Sequence, residues 1–182
     1  MDWLDDTRQK LRRHNQILFS RENPLLEELF SLLARQDRRT VTLWAFSLAE
    51  ETVQELRERH PGWPCAQEAL RAARLWAAGA LKMPAAQKAI LQCHGAAKEA
   101  PPEEAALFHA VGQACSVVHT VRHAPGYPIY ELTALVRRYG PEACRGPVEA
   151  RAAQYAERLL FWREKMPELS LPWASFLCPQ PK

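Results

Sequence analysis

No stretch of this 182-residue chain is long and apolar enough to cross a bilayer, which takes about 20 residues. The amino terminus carries acidic residues at once and has no hydrophobic region, so we expect no signal peptide. The 7 glycines form neither a phosphate-binding loop nor a Gly-x-Ser-x-Gly nucleophile elbow. β-Branched residues are sparse and no Asn-Gly or Asp-Gly turn occurs, which disfavours strands.

Charges of both signs are interleaved along the chain and form no blocks. The sequence has 24 basic and 21 acidic residues, with a formal net charge of +3. Nucleic-acid binding is favoured by a concentrated basic face, which this pattern does not indicate. The pattern also predicts no strongly acidic face that would capture a very basic partner. We therefore expect neither a nucleic acid nor a membrane among the partners.

The sequence has no Cys-x-x-Cys pair and contains an odd number of cysteines, 5 in all. Their wide spacing indicates no disulfide framework, and free thiols are typical of the reducing cytoplasm. We therefore predict a cytoplasmic protein with five unpaired thiols. These are Cys65, Cys93, Cys115, Cys144 and Cys178.

Prolines divide the chain into segments with helical patterns. Proline is favoured in the first turn of a helix, where its missing N–H costs nothing. Such a pattern follows Asn23-Pro24, Trp63-Pro64, Met83-Pro84, Tyr127-Pro128 and Gly146-Pro147. The first helix is predicted over residues 5–19. The helix that contains Phe108 is predicted to end near His123 or Ala124.

These segments predict an all-α fold, a single-domain bundle of about seven or eight helices. Residues 1–37 are expected to form an N-terminal helical extension and residues 38–168 the main helical domain. Residues 169–182 are apolar but proline-rich, and we expect an extended tail packed on the bundle. Together the three parts are predicted to form one compact unit. A hydrophobic content of 47% is sufficient for a sizeable core.

The segment "FHAVGQACSVVHTVRHAPGYPIY" combines histidines and a cysteine at helical spacing. If it is one helix, Cys115, His119 and His123 lie along one stripe, and zinc accepts such sulfur and nitrogen ligands. His119 and His123 are the best candidate ligands, with a further one from a neighbouring helix, for which His94 is a candidate. No His-Glu-x-x-His motif supplies a catalytic base.

The same segment has a structural interpretation. Gly112 and Cys115 would give room for a partner helix, and a buried His119 would donate a hydrogen bond to a backbone carbonyl. His123 would lie at the helix C-terminus, where a cation is favourable. A role in binding or oligomerisation is a third alternative. We predict no metal or cofactor and a structural role for this segment.

Four stretches in this order carry a family resemblance: "WAFSLAEETV", "AQEALRAARLWAAG", "GQACSVVHTVRHAPGYPIY" and "FWREKMP". Together they resemble the immunity proteins of bacterial polymorphic-toxin systems, in particular the small alanine-rich helical group numbered fifth. The resemblance covers about residues 39–167. The matching positions are Arg74, Trp76 and Gly79 in the first motif, and Gly112, His119, His123, Gly126 and Tyr130 in the second.

One departure from the family pattern is the pair Pro125 and Pro128, where the family helix continues, so we expect a break there. The resemblance implies a non-enzymatic cytoplasmic protein that binds and neutralises a cognate toxin. Two other functions stay open: a metal-dependent enzyme that uses His119 and His123, and a helical adaptor or regulatory protein. The sequence leaves the oligomeric state open.

Overall fold

The computed structural model describes residues 2–179, which form eight α-helices and no strand, so the predicted all-α fold is confirmed. Short 3₁₀ turns occur at Pro24–Leu26, Val121–His123, Met166–Glu168 and Ser175–Leu177. None of the helices described is both long and apolar enough to span a membrane. The helices are α1 (Trp3–Arg12), α2 (Glu27–Leu33), α3 (Arg38–Arg59), α4 (Cys65–Ala77), α5 (Met83–Ala96), α6 (Pro102–Ser116), α7 (Gly126–Ala143) and α8 (Arg145–Lys165).

Helix α6 is the central element of the bundle. It packs against α3, α4, α5 and α7. Buried residues occur all around it, from Ala106 to Cys115, as expected for a helix surrounded by protein. Its alanines and Gly112 leave space for close neighbours. Side chains that reach out from α6 therefore meet those of α5 and α7 in the interior of the bundle.

The N-terminal segment and the tail join the same hydrophobic core. Trp3 belongs to this core, and its indole N–H donates to Glu149 of α8 at 3.0 Å. In the tail, the backbone N–H of Ala174 donates to the carbonyl oxygen of Ala77 at 2.8 Å, and Leu177 is buried. Residues of the predicted extension and tail thus pack on the helical domain.

The first helix is shorter than the sequence predicted, since α1 ends at Arg12 and not near residue 19. His14 has a left-handed backbone with φ of 56°, and the next N–H, of Asn15, donates to the carbonyl of Lys10 at 3.0 Å. This pair of features terminates a helix. Beyond it the chain is non-helical, and Leu18 and Phe19 are buried without belonging to a helix.

The helix that contains Phe108 also ends early, at Ser116, so its predicted extension to His123 or Ala124 is wrong. Thr120 is extended, with φ of −153°, and its hydroxyl accepts a hydrogen bond from Arg122 N. The chain becomes helical again at Gly126, with Pro128 in the first turn. Cys115, His119 and His123 therefore do not lie along one helix.

Candidate functional site: a histidine cluster between three helices

Gly112 makes room for an imidazole. A Cβ atom at this position would lie 2.4 Å from His94 Nε2 and 2.5 Å from His94 Cε1, which is closer than real Cβ contacts. The predicted close approach at Gly112 is thus made by the side chain of His94, which reaches from α5 to the backbone of α6.

His94 forms a hydrogen bond with a second histidine. The Nδ1 atoms of His94 and His109 lie 2.8 Å apart, so one ring donates its proton and the other accepts it. Two imidazolium rings could not make this bond, because both Nδ1 atoms would be donors. The pair can therefore hold at most one extra proton in this geometry. His109 also packs against Tyr130 of α7, with ring centroids 5.1 Å apart and the two ring planes tilted by 37°.

A second motif glycine makes room for the side chain that holds His123. A Cβ atom at Gly126 would lie 2.6 Å from Gln113 Oε1. That oxygen is 3.0 Å from His123 Nδ1, and because it can only accept, His123 carries its proton on Nδ1 in this bond. Gly126 and His123 are thus linked through Gln113. The histidine cluster consists of His94, His109, His123, Gln113 and Tyr130.

The surroundings of the cluster keep its three imidazoles neutral. Burial, with smaller contributions from the nearby His109 and His123, lowers the pKa of His94 from 6.5 to about 4. Burial also lowers the pKa of His109. The pKa of His123 is lowered by burial, then by His119 and Arg21. At neutral pH these rings are hydrogen-bonding groups without charge.

His119 lies outside this cluster. It is exposed, contrary to the prediction that it is buried, and its ring stacks on Trp76 with centroids 6.3 Å apart. Phe176 of the tail lies against the same indole at 6.1 Å, and Arg38 lies over the Phe176 ring at 6.0 Å. We refer to Trp76, His119, Phe176 and Arg38 as the aromatic face.

The first motif of the resemblance ends α4 beside the aromatic face. Gly79 has a φ of 76°, and its N–H donates to the carbonyl of Trp76 at 3.0 Å. Ala80 N–H donates to the carbonyl of Leu75 at 2.8 Å, which completes a Schellman motif. Arg74 is exposed and forms an ion pair with Glu50. This motif therefore fixes the end of α4 next to Trp76.

The four residues proposed as metal ligands are not brought together. Cys115 is fully buried, and burial raises the pKa of its thiol to about 12, whereas His119 stacks on Trp76. His123 is held by Gln113, and His94 pairs with His109. Between residues 2 and 179, no group of three His, Cys, Asp or Glu side chains is placed to hold a metal ion. All five cysteines are free thiols, in agreement with the prediction.

A second polar cluster is buried between α7 and α8. Glu131, only 8% exposed, accepts hydrogen bonds from Tyr127 at 3.0 Å and from Arg151 at 2.8 and 2.9 Å. The Oε2 atom of Glu131, which accepts from Arg151 Nε, also accepts a hydrogen bond from the Tyr155 hydroxyl. Burial and the charge of Glu131 raise the pKa of both tyrosines, so their hydroxyls stay donors. Both oxygens of Glu131 are fully engaged, and we interpret this cluster as structural.

Sequence reasoning missed His109 and Gln113, the two residues that connect the motif positions. Their partners lie on other helices, so spacing within one helix gives no signal for them. Both lie within one turn of Gly112 on α6.

The family model for "Imm-5 like putative immunity protein" matches residues 31–158, which is well over half of the chain. The chain therefore belongs to this family, as the resemblance indicated. The matched range contains the histidine cluster and all eight motif positions. No match was found among curated proteins or among solved structures.

Proposed function

We propose that this protein neutralises a cognate bacterial toxin in the cytoplasm by binding it in a stoichiometric complex. The observation that carries the proposal is membership of the immunity family over residues 31–158. Neutralisation of this kind needs no catalytic group or cofactor, because a bound surface of ordinary interface size can cover a toxin's active site. A surface formed by residues on α3, on α4, after α6 and in the tail has the composition of such an interface.

That surface is the aromatic face. Phe176 is 40% exposed and His119 is exposed, while the buried Trp76 supports both rings from below. Arg38 is held in place because its guanidinium donates to the carbonyls of Phe176 at 2.9 Å and His119 at 3.2 Å. Aromatic and arginine side chains dominate binding energy at interfaces. Fixed side chains lose little entropy on binding, which supports a role in tight recognition.

The test is growth of cells that express a candidate cognate toxin, with and without this chain. We expect the native chain to restore growth. We expect His119→Ala and Phe176→Ala, alone and combined, to weaken protection, because each removes an exposed ring from the aromatic face. The matched control is Phe161→Ala, which removes a ring that is 51% exposed on α8.

Each variant is first checked for a native melting temperature. Failure of the native chain to restore growth would overturn the proposed function itself. Full protection by the folded double variant would overturn only the assignment of the aromatic face. Equal losses in Phe161→Ala and Phe176→Ala would show that the effect is not specific to this face.

A further inference from the structure

The histidine cluster borders a cleft of about 570 Å³. The loop after α1 forms one wall, and α5, α6 and α7 with the turn between α5 and α6 form the others. Polar groups on its walls are His14, Gln16, His94, Lys98, His109, Tyr130 and Arg137. Alanines, Ile17 and Pro102 line the rest. A volume of this size with mainly apolar walls and a few polar groups is typical of a small-molecule site.

Two cations line the cleft without a counter-ion. The lining contains no aspartate or glutamate, and within residues 2–179 neither Lys98 nor Arg137 takes part in an ion pair. The neighbouring Arg138 differs, since it pairs with Glu55 and with Glu103. Arg137 donates instead to the backbone carbonyls of Asn15 and Gln16, at 3.2 and 2.9 Å.

Arg137 also has an N–H group that makes no hydrogen bond in the described part of the chain. Its Nε atom is buried and has no hydrogen-bond partner among the described residues. A buried, unsatisfied donor on a charged group is costly, so a small shift of this side chain toward an acceptor in the cleft would be favourable. Burial lowers the pKa of Arg137, but a guanidinium remains charged at any physiological pH.

The backbone at the edge of the cleft is strained. His14 has a φ of 56°, a left-handed conformation at a helix end where glycine is usual. Its side chain lines the cleft. Non-glycine residues held in this conformation cluster at functional sites.

From the unpaired cations, the unsatisfied Arg137 Nε and the apolar walls, we propose that this cleft binds a small organic carboxylate. Lys98 and Arg137 donate to the carboxylate, and the alanine walls take an apolar body. His109 and Tyr130 offer neutral hydrogen-bonding groups to further polar atoms of the ligand. The site is independent of the proposed toxin complex, because the aromatic face shares no residue with it.

The experiment measures binding of benzoate and glutarate to the full chain by NMR of the histidine rings and by calorimetry, at fixed ionic strength. We expect saturable shifts of the His94 and His109 resonances, and none with neutral benzamide. Lys98→Gln should weaken carboxylate binding about tenfold, the effect of one charge-assisted hydrogen bond. Lys88→Gln removes the same charge from an exposed site on α5 outside the cleft and should leave affinity unchanged.

Any of four results would overturn the proposal. The first is no saturation up to about 50 mM ligand, far above the millimolar Kd expected of two charge-assisted contacts. The second is equal binding of benzamide and benzoate, which would indicate an apolar cavity only. The third is an equal effect of Lys98→Gln and Lys88→Gln, which would indicate bulk charge. Inorganic phosphate is the final probe, and tighter binding of phosphate than of either carboxylate would contradict the ligand class.

Discussion

Replacing Gly112 with alanine tests how the motif glycine and the histidine cluster depend on each other. The added Cβ would lie 2.4 Å from His94 Nε2 and 2.8 Å from His94 Cδ2. The imidazole must therefore move. Because its Nδ1 atom lies only 2.8 Å from that of His109, a displacement large enough to relieve the overlap breaks the histidine pair.

Two opposing effects set the magnitude. Alanine in place of glycine within a helix stabilises by about 1 kcal/mol. Overpacking costs about 1–3 kcal/mol, and loss of the His94–His109 hydrogen bond costs about 1 kcal/mol more. The cost exceeds the gain, so we expect Gly112→Ala to destabilise the protein by about 1–3 kcal/mol. Gly112→Leu should cost more, because its larger side chain must displace more than one ring.

The matched control is Gly95→Ala, since a Cβ at Gly95 in helix α5 would meet nothing within 4 Å. This variant should be as stable as the native chain or more stable, by up to about 1 kcal/mol. Urea unfolding at neutral pH measures both. NMR titration of Gly112→Ala should also show the pKa of His94 rising from about 4 toward 6.5, because the ring moves into solvent. A Gly112→Ala protein as stable as Gly95→Ala, with the pKa of His94 unchanged, would refute this reasoning.

Three further predictions concern pH and stability. The pKa of His94 is lower in the folded chain than in the unfolded one, so its contribution is complete above pH 6.5 and is lost as the pH falls toward 4. The full shift in the pKa of His94 corresponds to about 3 kcal/mol in the free energy of unfolding. Solvent screening at this half-buried ring reduces the contribution to about 1–2 kcal/mol. Urea unfolding at about pH 7 and about pH 5 should show this extra loss in the native chain but not in His94→Gln. Glu131→Ala should destabilise by about 3–5 kcal/mol, because it removes the buried partner of Arg151, which keeps only the more exposed Glu51, and leaves the buried Tyr155 hydroxyl without its acceptor. Glu142→Ala at an exposed pair should cost under about 1 kcal/mol. Similar losses in the two variants would contradict the structural role of Glu131. Gly79→Ala should cost about 1–2 kcal/mol, because alanine disfavours a φ of 76°, and an unchanged melting temperature would count against this cause.

The sequence predicted most helices because proline and capping residues mark where they begin. Asp37, for example, precedes α3, and its carboxylate accepts a hydrogen bond from Arg39 N at 2.9 Å. Gly140 and Pro141, a pair that favours the end of a helix, coincide with a break in α7, where Gly140 has a φ of 76°. Local chemistry was sufficient in these places.

The predicted helix ends were wrong where buried apolar residues lie outside a helix. Val117 and Val118 extend the apolar pattern of α6 beyond its end because both are fully buried, although they lie in a turn. Leu18 and Phe19 misled the prediction for α1 in the same way. An apolar pattern reports burial, and a buried turn satisfies it as well as a helix does.

The candidate site was predicted only in part, for a geometric reason. Gly112, His123 and Tyr130 were singled out, but the contacts that unite them run through His109 and Gln113 to side chains on other helices. The spacing of residues within one helix does not show which of their side chains contact side chains on two other helices. The same limitation placed His119 inside the bundle, whereas it lies on the surface against Trp76.

The most direct test of the central claim is a titration of the cognate toxin's activity with this protein, at toxin concentrations well above the Kd of the complex. Stoichiometric neutralisation predicts a linear fall in toxin activity that ends at a fixed whole-number ratio of the two chains and does not change with incubation time. Inactivation that progresses with time at a small fraction of an equivalent would contradict the claim and indicate an enzyme. Toxin activity that is unaffected by excess protein would contradict it as well.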